Sequence, residues 1–162
     1  MVRIFVDADA CPVKDEVYRV AARHELPVWV VANQRISVPR SPRIEMKVVS
    51  GKFDAADDWI VEQLAAGDIA ITSDLLLASR SLKQGAQVLD PKGRVFTDDN
   101  IGDVLASREI SAFLRDMGAG GGGPAPYGPR DRSRFLQVLE NLIQAAKKLD
   151  GSKSIVSPLR PE

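Results

Sequence analysis

The side chains in this sequence able to do chemistry are mostly aspartates, and they fall where apolar runs end. Asp7-Ala8-Asp9 follows the run 2–6, Ser73-Asp74 follows 68–72, and Asp90 follows 86–89, while Asp54-Ala55-Ala56-Asp57-Asp58 opens a stretch of helical spacing. One cysteine, Cys11, and one histidine, His24, exclude an intramolecular disulfide, a Cys-based zinc site and a His-x-x-x-His pair. Carboxylates gathered with almost no nitrogen or sulfur ligand suit a hard divalent cation, Mg²⁺ or Mn²⁺. Such a cation offsets the repulsion between the acids and supplies a Lewis acid and a water of lowered pKa, which suits phosphodiester hydrolysis.

Each acid also has an ordinary structural use. Asp74 suits the N-cap of the helix after it, and Asp54 suits that of another, with Asp57 and Asp58 favoured by the helix dipole. Asp90 before Pro91-Lys92-Gly93 reads as a turn residue. Asp57 shares a helix face with Val61 and Leu64 whereas Asp58 aligns with Glu62, so Asp57 is the inward candidate. Asp7 and Asp9, two positions apart, point the same way if the chain stays extended. Burying both without a partner would be expensive, which makes them the strongest site candidates. Cys11 reads as a small core residue, and His24 as a surface charge at a helix C-terminus.

The elements that must position these residues alternate in type. The run 2–6, the β-branched run 28–32, residues 46–49, 68–72 and 86–89 read as strands. Between them, 12–24, 53–66 and 75–84 carry apolar residues at helical spacing, with Pro12 in a first turn and Gly67 and Gly85 as stops. Strand and helix in alternation predict a mostly parallel sheet covered on both faces, a three-layer α/β domain spanning 1–162. Ligands of such sheets bind beyond the carboxyl ends of the strands, where the aspartates fall. The helix at 53–66 is expected to start away from that edge unless the preceding loop crosses over. Residues 33–43, containing Ser37-Val38-Pro39-Arg40-Ser41-Pro42-Arg43, form an extended loop. Helical signal returns at 100–117. Residues 118–129, with six of the twelve glycines and three prolines, predict a mobile loop. An amphipathic helix follows at 131–149, and the tail 151–162 is expected to be disordered.

The 162 residues are 44% hydrophobic and 27% charged, which fits one globular domain and speaks against disordered, fibrous and membrane classes. No run reaches the ~20 apolar residues of a spanning helix, and an acid at position 7 comes too early for a signal peptide, so a cytoplasmic location is expected. The formal charge is zero, yet residues 130–162 hold 7 basic and 4 acidic residues against 15 and 18 before them. That offset marks no nucleic-acid binder by itself, but it allows an acidic pocket with a basic rim.

Five motifs, in order, carry a resemblance: Asp7-Ala8-Asp9-Ala10-Cys11-Pro12-Val13-Lys14, Ala32-Asn33-Gln34, Asp54-Ala55-Ala56-Asp57-Asp58-Trp59-Ile60, Gly67-Asp68-Ile69-Ala70-Ile71-Thr72-Ser73-Asp74 and Asp131-Arg132-Ser133-Arg134-Phe135. Across nearly the whole chain the sequence resembles the YaiI/YqxD family, small bacterial proteins of undetermined activity. That family is similar in layout to the PIN-domain-like nucleases, metal-dependent ribonucleases with an acidic cluster at the carboxyl edge of a parallel sheet. The resemblance implies metal-ligand roles for Asp7, for an acid of the Asp57-Asp58 pair and for Asp74. Nuclease members often carry a further acid shortly after the last of these; here Leu75, Leu76 and Leu77 follow, leaving Asp9 as the candidate replacement.

The expected activity is therefore a Mg²⁺- or Mn²⁺-dependent phosphodiesterase acting on RNA, with Asp7, Asp9, Asp57 and Asp74 catalytic and Asp58 a further metal candidate. Lys14, Asn33, Gln34, Arg35 and Ser73 are candidate substrate contacts, Lys14 for a phosphate. Arg35, Arg40, Arg43, Lys47 and Lys52, opposed only by Glu45, form a possible backbone-gripping strip. Two other classes stay open. One is a noncatalytic RNA or nucleotide binding module. The other is a haloacid-dehalogenase-like phosphatase using Asp7, Asp9 and Thr72 or Ser73, although a helix starting at Pro12 leaves no room for that superfamily's flap.

Overall fold

Valine, isoleucine and phenylalanine make the interior strand β1 (Ile4–Asp7) apolar on both sides, as a strand covered by helices on each face must be. The computed structural model describes residues 2–51, 54–116 and 126–156. Around β1 stand β2 (Val28–Ala32), β3 (Ile44–Val48), β4 (Ile69–Ile71), β5 (Gln87–Leu89) and β6 (Val95–Phe96). Among the described residues they form one sheet of order β3-β2-β1-β4-β5-β6. All neighbours are parallel except β5 and β6. The helices are α1 (Lys14–Arg23), α2 (Ala55–Gln63), α3 (Leu75–Lys83), α4 (Asp98–Asp116) and α5 (Pro129–Val156).

Alternation along the strands sorts the core into two layers. Ile4, Val6, Val28, Val30, Ile69 and Ile71 face α1 and α5, where they meet Val17, Val20, Phe135, Leu139 and Ile143. Phe5, Val31, Ala70 and Val88 face the other way, onto Ala56 and Ile60 of α2, Leu75 and Leu77 of α3 and Ile101 of α4. Burying each of these large side chains contributes ~1.5–3 kcal/mol. The predicted α/β class and its three layers are thus as expected. The same alternation puts Asp7 on the Phe5 face, and the pairing of Val6 with Ile71 sets Thr72 beside it.

Several expectations need correction. The strand β6 escaped the sequence reading because two residues give no period. The helix at 131–149 begins at Pro129 and runs to Val156, so residues 151–156 are helical rather than disordered; 157–162 lie outside the described residues. Of the supposed mobile loop, 118–125 lies outside them as well, and its last residues are tied down. Tyr127 donates from Oη to the Pro91 carbonyl at 2.9 Å, and Gly128 N–H donates to Asp131 Oδ2 at 3.0 Å, the N-terminal cap of α5. Gly93 makes that junction possible. Its φ is +90°, and an added Cβ would stand 2.6 Å from Arg134 Cγ.

Ion pairs fasten the rest. At the amino edge, buried Asp68 accepts from Arg3 N–H at 3.1 Å, from the Arg3 guanidinium at 2.7 Å and from Ala65 N–H at 2.9 Å. His24 is no surface charge: its side chain is largely covered, and Nε2 lies 2.7 Å from Glu140 Oε2 on α5. Arg23 also pairs with Glu140, and Arg132 Nε lies 3.2 Å from buried Glu16. No helix among the described residues is long and apolar enough to cross a membrane.

Candidate functional site

In a parallel sheet whose order runs outward from β1 in both directions, the chain leaves β1 toward one side and returns at β4 on the other. The loops after these two strands diverge and leave a crevice at their carboxyl ends. A cleft of about 800 Å³ lies there, the size of a ligand pocket. Asp7, Asp9, Asp57 and Asp74 line it, with Asn33, Gln34, Ser50 and Ser73. Sequence reasoning thus named seven residues around this cleft and missed Ser50, Gly51, Ala56, Leu75, Leu76, Leu105, Arg108 and Glu109, which also line it.

Each acid arrives by a different local device. Asp7 ends β1, and its Oδ2 accepts from Thr72 Oγ1 at 2.8 Å. That hydroxyl in turn accepts from Asp74 N–H at 2.9 Å, so buried Thr72 clips the two loops together. Asp9 does not continue the strand. Residues Ala8–Ala10 coil into a 3-10 turn, correcting the extended geometry expected of Asp7 and Asp9, and exposed Asp9 accepts Asn33 N–H at 3.2 Å through Oδ2. Asp74 caps α3: its Oδ1 accepts Leu76 N–H at 2.9 Å and Leu77 N–H at 3.2 Å. Capping does not take Asp74 out of the cleft, since both bonds use one oxygen. Asp57 comes from the first turn of α2. Because β3 is parallel, its carboxyl end leads into α2 at the same edge, contrary to the expectation that this helix starts away from it.

The electrostatics follow from this crowding. Burial pushes the Asp57 carboxyl up to about 6, with Asp74 and Asp7 adding repulsion that Arg80 only partly offsets. Asp7 is also raised, first by burial and then by Asp9 and Asp74, against the lowering effect of its bond from Thr72. Arg108 is the one cation among the described lining residues. These are hard anionic oxygens, the donor type that Mg²⁺ and Mn²⁺ take. Among the described residues no three His, Cys, Asp or Glu side chains stand together closely enough to hold an ion, so a cation would have to draw them in.

The other candidates sit elsewhere. Asp58 points away from the cleft and pairs with Arg80 at 2.8 Å, as its alignment with Glu62 implied. Lys14 Nζ donates to the carbonyls of Cys11 at 2.8 Å and Ala8 at 3.3 Å, bracing the 3-10 turn. Asp90 is a turn residue, accepting Lys92 N–H and Arg94 N–H. Cys11 is buried in the core. None of the described residues of the basic strip lines the cleft. Arg35 is exposed outside the cleft lining, Arg43 lies at the amino end of β3, 3.7 Å from Glu25, and Lys47 Nζ stands 5.6 Å over the Trp59 ring. Lys52 lies outside the described residues.

Residues 5–145 match the profile described as an uncharacterized bacterial family, YaiI/YqxD. A UPF0178 protein of Rhodospirillum centenum is 52% identical over 152 residues, covering 91% of this chain and 99% of that protein. UPF0178 proteins of Brucella ovis and Brucella suis are each 53% identical over 146 residues, covering 90% of this chain and 91% of theirs. No solved structure matches the chain. With the profile covering most of its length, and these relatives matched almost end to end, the chain belongs to the YaiI/YqxD family.

Proposed function

We propose that this protein is a Mg²⁺- or Mn²⁺-dependent phosphodiesterase acting on RNA. The observation that carries the reading is the placement of Asp7, Asp57 and Asp74 around one cleft at the reversal of strand order, with Asp57 raised to about 6 by burial and by the other two. A fold holds mutually repelling acids in a common crevice at a cost, and a cation is the ligand that removes it. When bound, Mg²⁺ or Mn²⁺ would supply Lewis acidity and a water of lowered pKa. The chain's own part is to hold carboxylate oxygens in place. Thr72 fixes one oxygen of Asp7, the α3 N–H groups fix one of Asp74, and Asn33 N–H steadies Asp9. Asp57, which accepts no hydrogen bond from a described residue, is the adjustable member.

A second reading, a noncatalytic RNA-binding module, is favoured by the spread of these acids, no three of which stand at ion-holding distance among the described residues. Asp74→Asn separates the readings. Asn Oδ1 can accept both α3 N–H bonds, so the fold should stay intact. Loss of the charge should weaken Mn²⁺ binding at least about tenfold and abolish Mn²⁺-dependent cleavage of labelled RNA. Calorimetric titration, a cleavage assay and melting curves on both proteins would be compared. Equal metal affinity and cleavage in a folded variant would remove Asp74 from the chemistry. An inert parent protein would favour the binding module, and phosphate release from small monoesters the phosphatase.

A further inference from the structure

Part of the cleft lining belongs to α3 and α4, and beside the acid Glu109 it carries side chains unlike the aspartates. Leu75, Leu76 and Leu105 make it apolar, and Arg108 stands beside them. Leu105 and Arg108 lie three positions apart on one face of α4. Leu76 is 70% exposed, although it follows directly on the capped residue Asp74. Arg108 is exposed and makes no ion pair with a described residue, in a cleft whose other charged lining residues are all acids.

We infer that this wall is a nucleotide subsite, with Leu76 and Leu105 as the shelf for one unpaired base and Arg108 as the contact for its phosphate. The inference rests on the RNA reading above and narrows it to single strands. An apolar shelf accepts the face of a base only when that face is unstacked. A guanidinium matches a phosphate in geometry and charge, and Arg108 is the one cation among the described lining residues that can offset the repulsion of the acids. A cleft of about 800 Å³ has the size of a pocket for a ligand of one or a few nucleotides, not of a double helix.

The test reads binding apart from cleavage. Anisotropy of a short labelled single-stranded RNA, and of the same strand annealed to its complement, would be measured in Ca²⁺ with the parent, R108Q, L76S and R19Q, a control on exposed Arg19 of α1. Leu76 and Arg108 are both exposed, so the substitutions should not disturb folding, which melting curves would check. The expected result is single-strand binding weakened about tenfold by R108Q and severalfold by L76S, unchanged by R19Q, with the duplex at least about tenfold weaker than the single strand. Equal binding of the two RNA forms, parent-like binding by both wall variants, or no binding by the parent would overturn the subsite. Dependence on Arg108 and Leu76 without any cleavage in Mn²⁺ would uphold it and refute only the hydrolytic reading. Cleavage that R108Q and L76S leave untouched would do the reverse.

Discussion

Replacing Asp57 by Asn should make this protein more stable at neutral pH. The carboxyl, held at about 6 against an ordinary 3.8, prefers to be neutral in the fold because it is partly buried and faces Asp74 and Asp7. A raised carboxyl pKa means that the folded state binds a proton more tightly than the unfolded chain. Stability is therefore undiminished below about pH 4, falls as pH rises through about 6, and stays reduced above it. At ~1.4 kcal/mol per pKa unit the ceiling of that loss is ~3 kcal/mol. Asp57 is only partly covered, so water screens it and ~1 kcal/mol is the reasonable expectation. Asn keeps the shape and drops the charge, which at this chain length corresponds to a melting temperature higher by ~2–4 °C at pH 7.

Melting curves from pH 4 to 8 would show the two proteins converging at the acid end, separating as pH rises toward 6 and keeping a constant difference above it. A second arm adds Mn²⁺. Saturation of a site at a hundred times its Kd stabilises by ~2.7 kcal/mol, so the parent should gain more from Mn²⁺ than Asp57→Asn does and close the gap. The reasoning fails if the variant is no more stable than the parent at pH 7, or if the difference does not change with pH. Either result would mean that Asp57 ionises in the fold as it does in water.

Three further outcomes follow from the geometry. Thr72→Val deletes the donor to Asp7 and the acceptor of Asp74 N–H in a buried position, and should cost ~1–3 kcal/mol in urea unfolding while Thr72→Ser restores most of it. Gly93→Ala forces φ +90° on an L side chain and drives its Cβ into Arg134, so the unfolding free energy should drop by at least ~2 kcal/mol, with Tyr127 fluorescence reporting release of the α5 start. Glu140 is held down to about 2 by bonds from Gln144, Arg23 and His24; its contribution is present above about pH 4.5 and lost as pH falls toward 2. Its partner Arg23 is exposed and water screens the pair, so Glu140→Gln should lower stability by under ~1 kcal/mol at pH 6 and by nothing near pH 2, read from acid-dependent melting.

Strands were legible because burial on both faces makes them continuous apolar runs, and β2 falls on the residues read for it. Boundaries slipped where a stop signal is only statistical. Gly151 read as a helix end, yet α5 continues to Val156. Lys14 was misplaced for a geometric reason. The 3-10 turn after β1 brings the carbonyls of Ala8 and Cys11 within its reach, and a turn of three residues leaves no periodic trace. Arg108 and Glu109 had a visible helix face but no visible destination. Where α4 lands depends on the turn held by Asp90 and on the antiparallel β6, neither of which implies an angle in sequence.

The acids were harder to read because each has two oxygens, and the structure uses them for different purposes. Capping, turn and site roles looked like competing explanations of one residue. Asp74 spends Oδ1 on α3, Asp7 spends Oδ2 on Thr72, and both still line the cleft with their charge. A carboxylate fixed by a structural bond at one oxygen is aimed at the other, which is how a fold holds a rigid charged site without a separate scaffold for it. Asp57 breaks this pattern, since it faces the same cleft with no hydrogen bond from a described residue. It is accordingly, among the aspartates of the cleft, the one pushed furthest from its ordinary behaviour, and the one whose charge most needs a ligand.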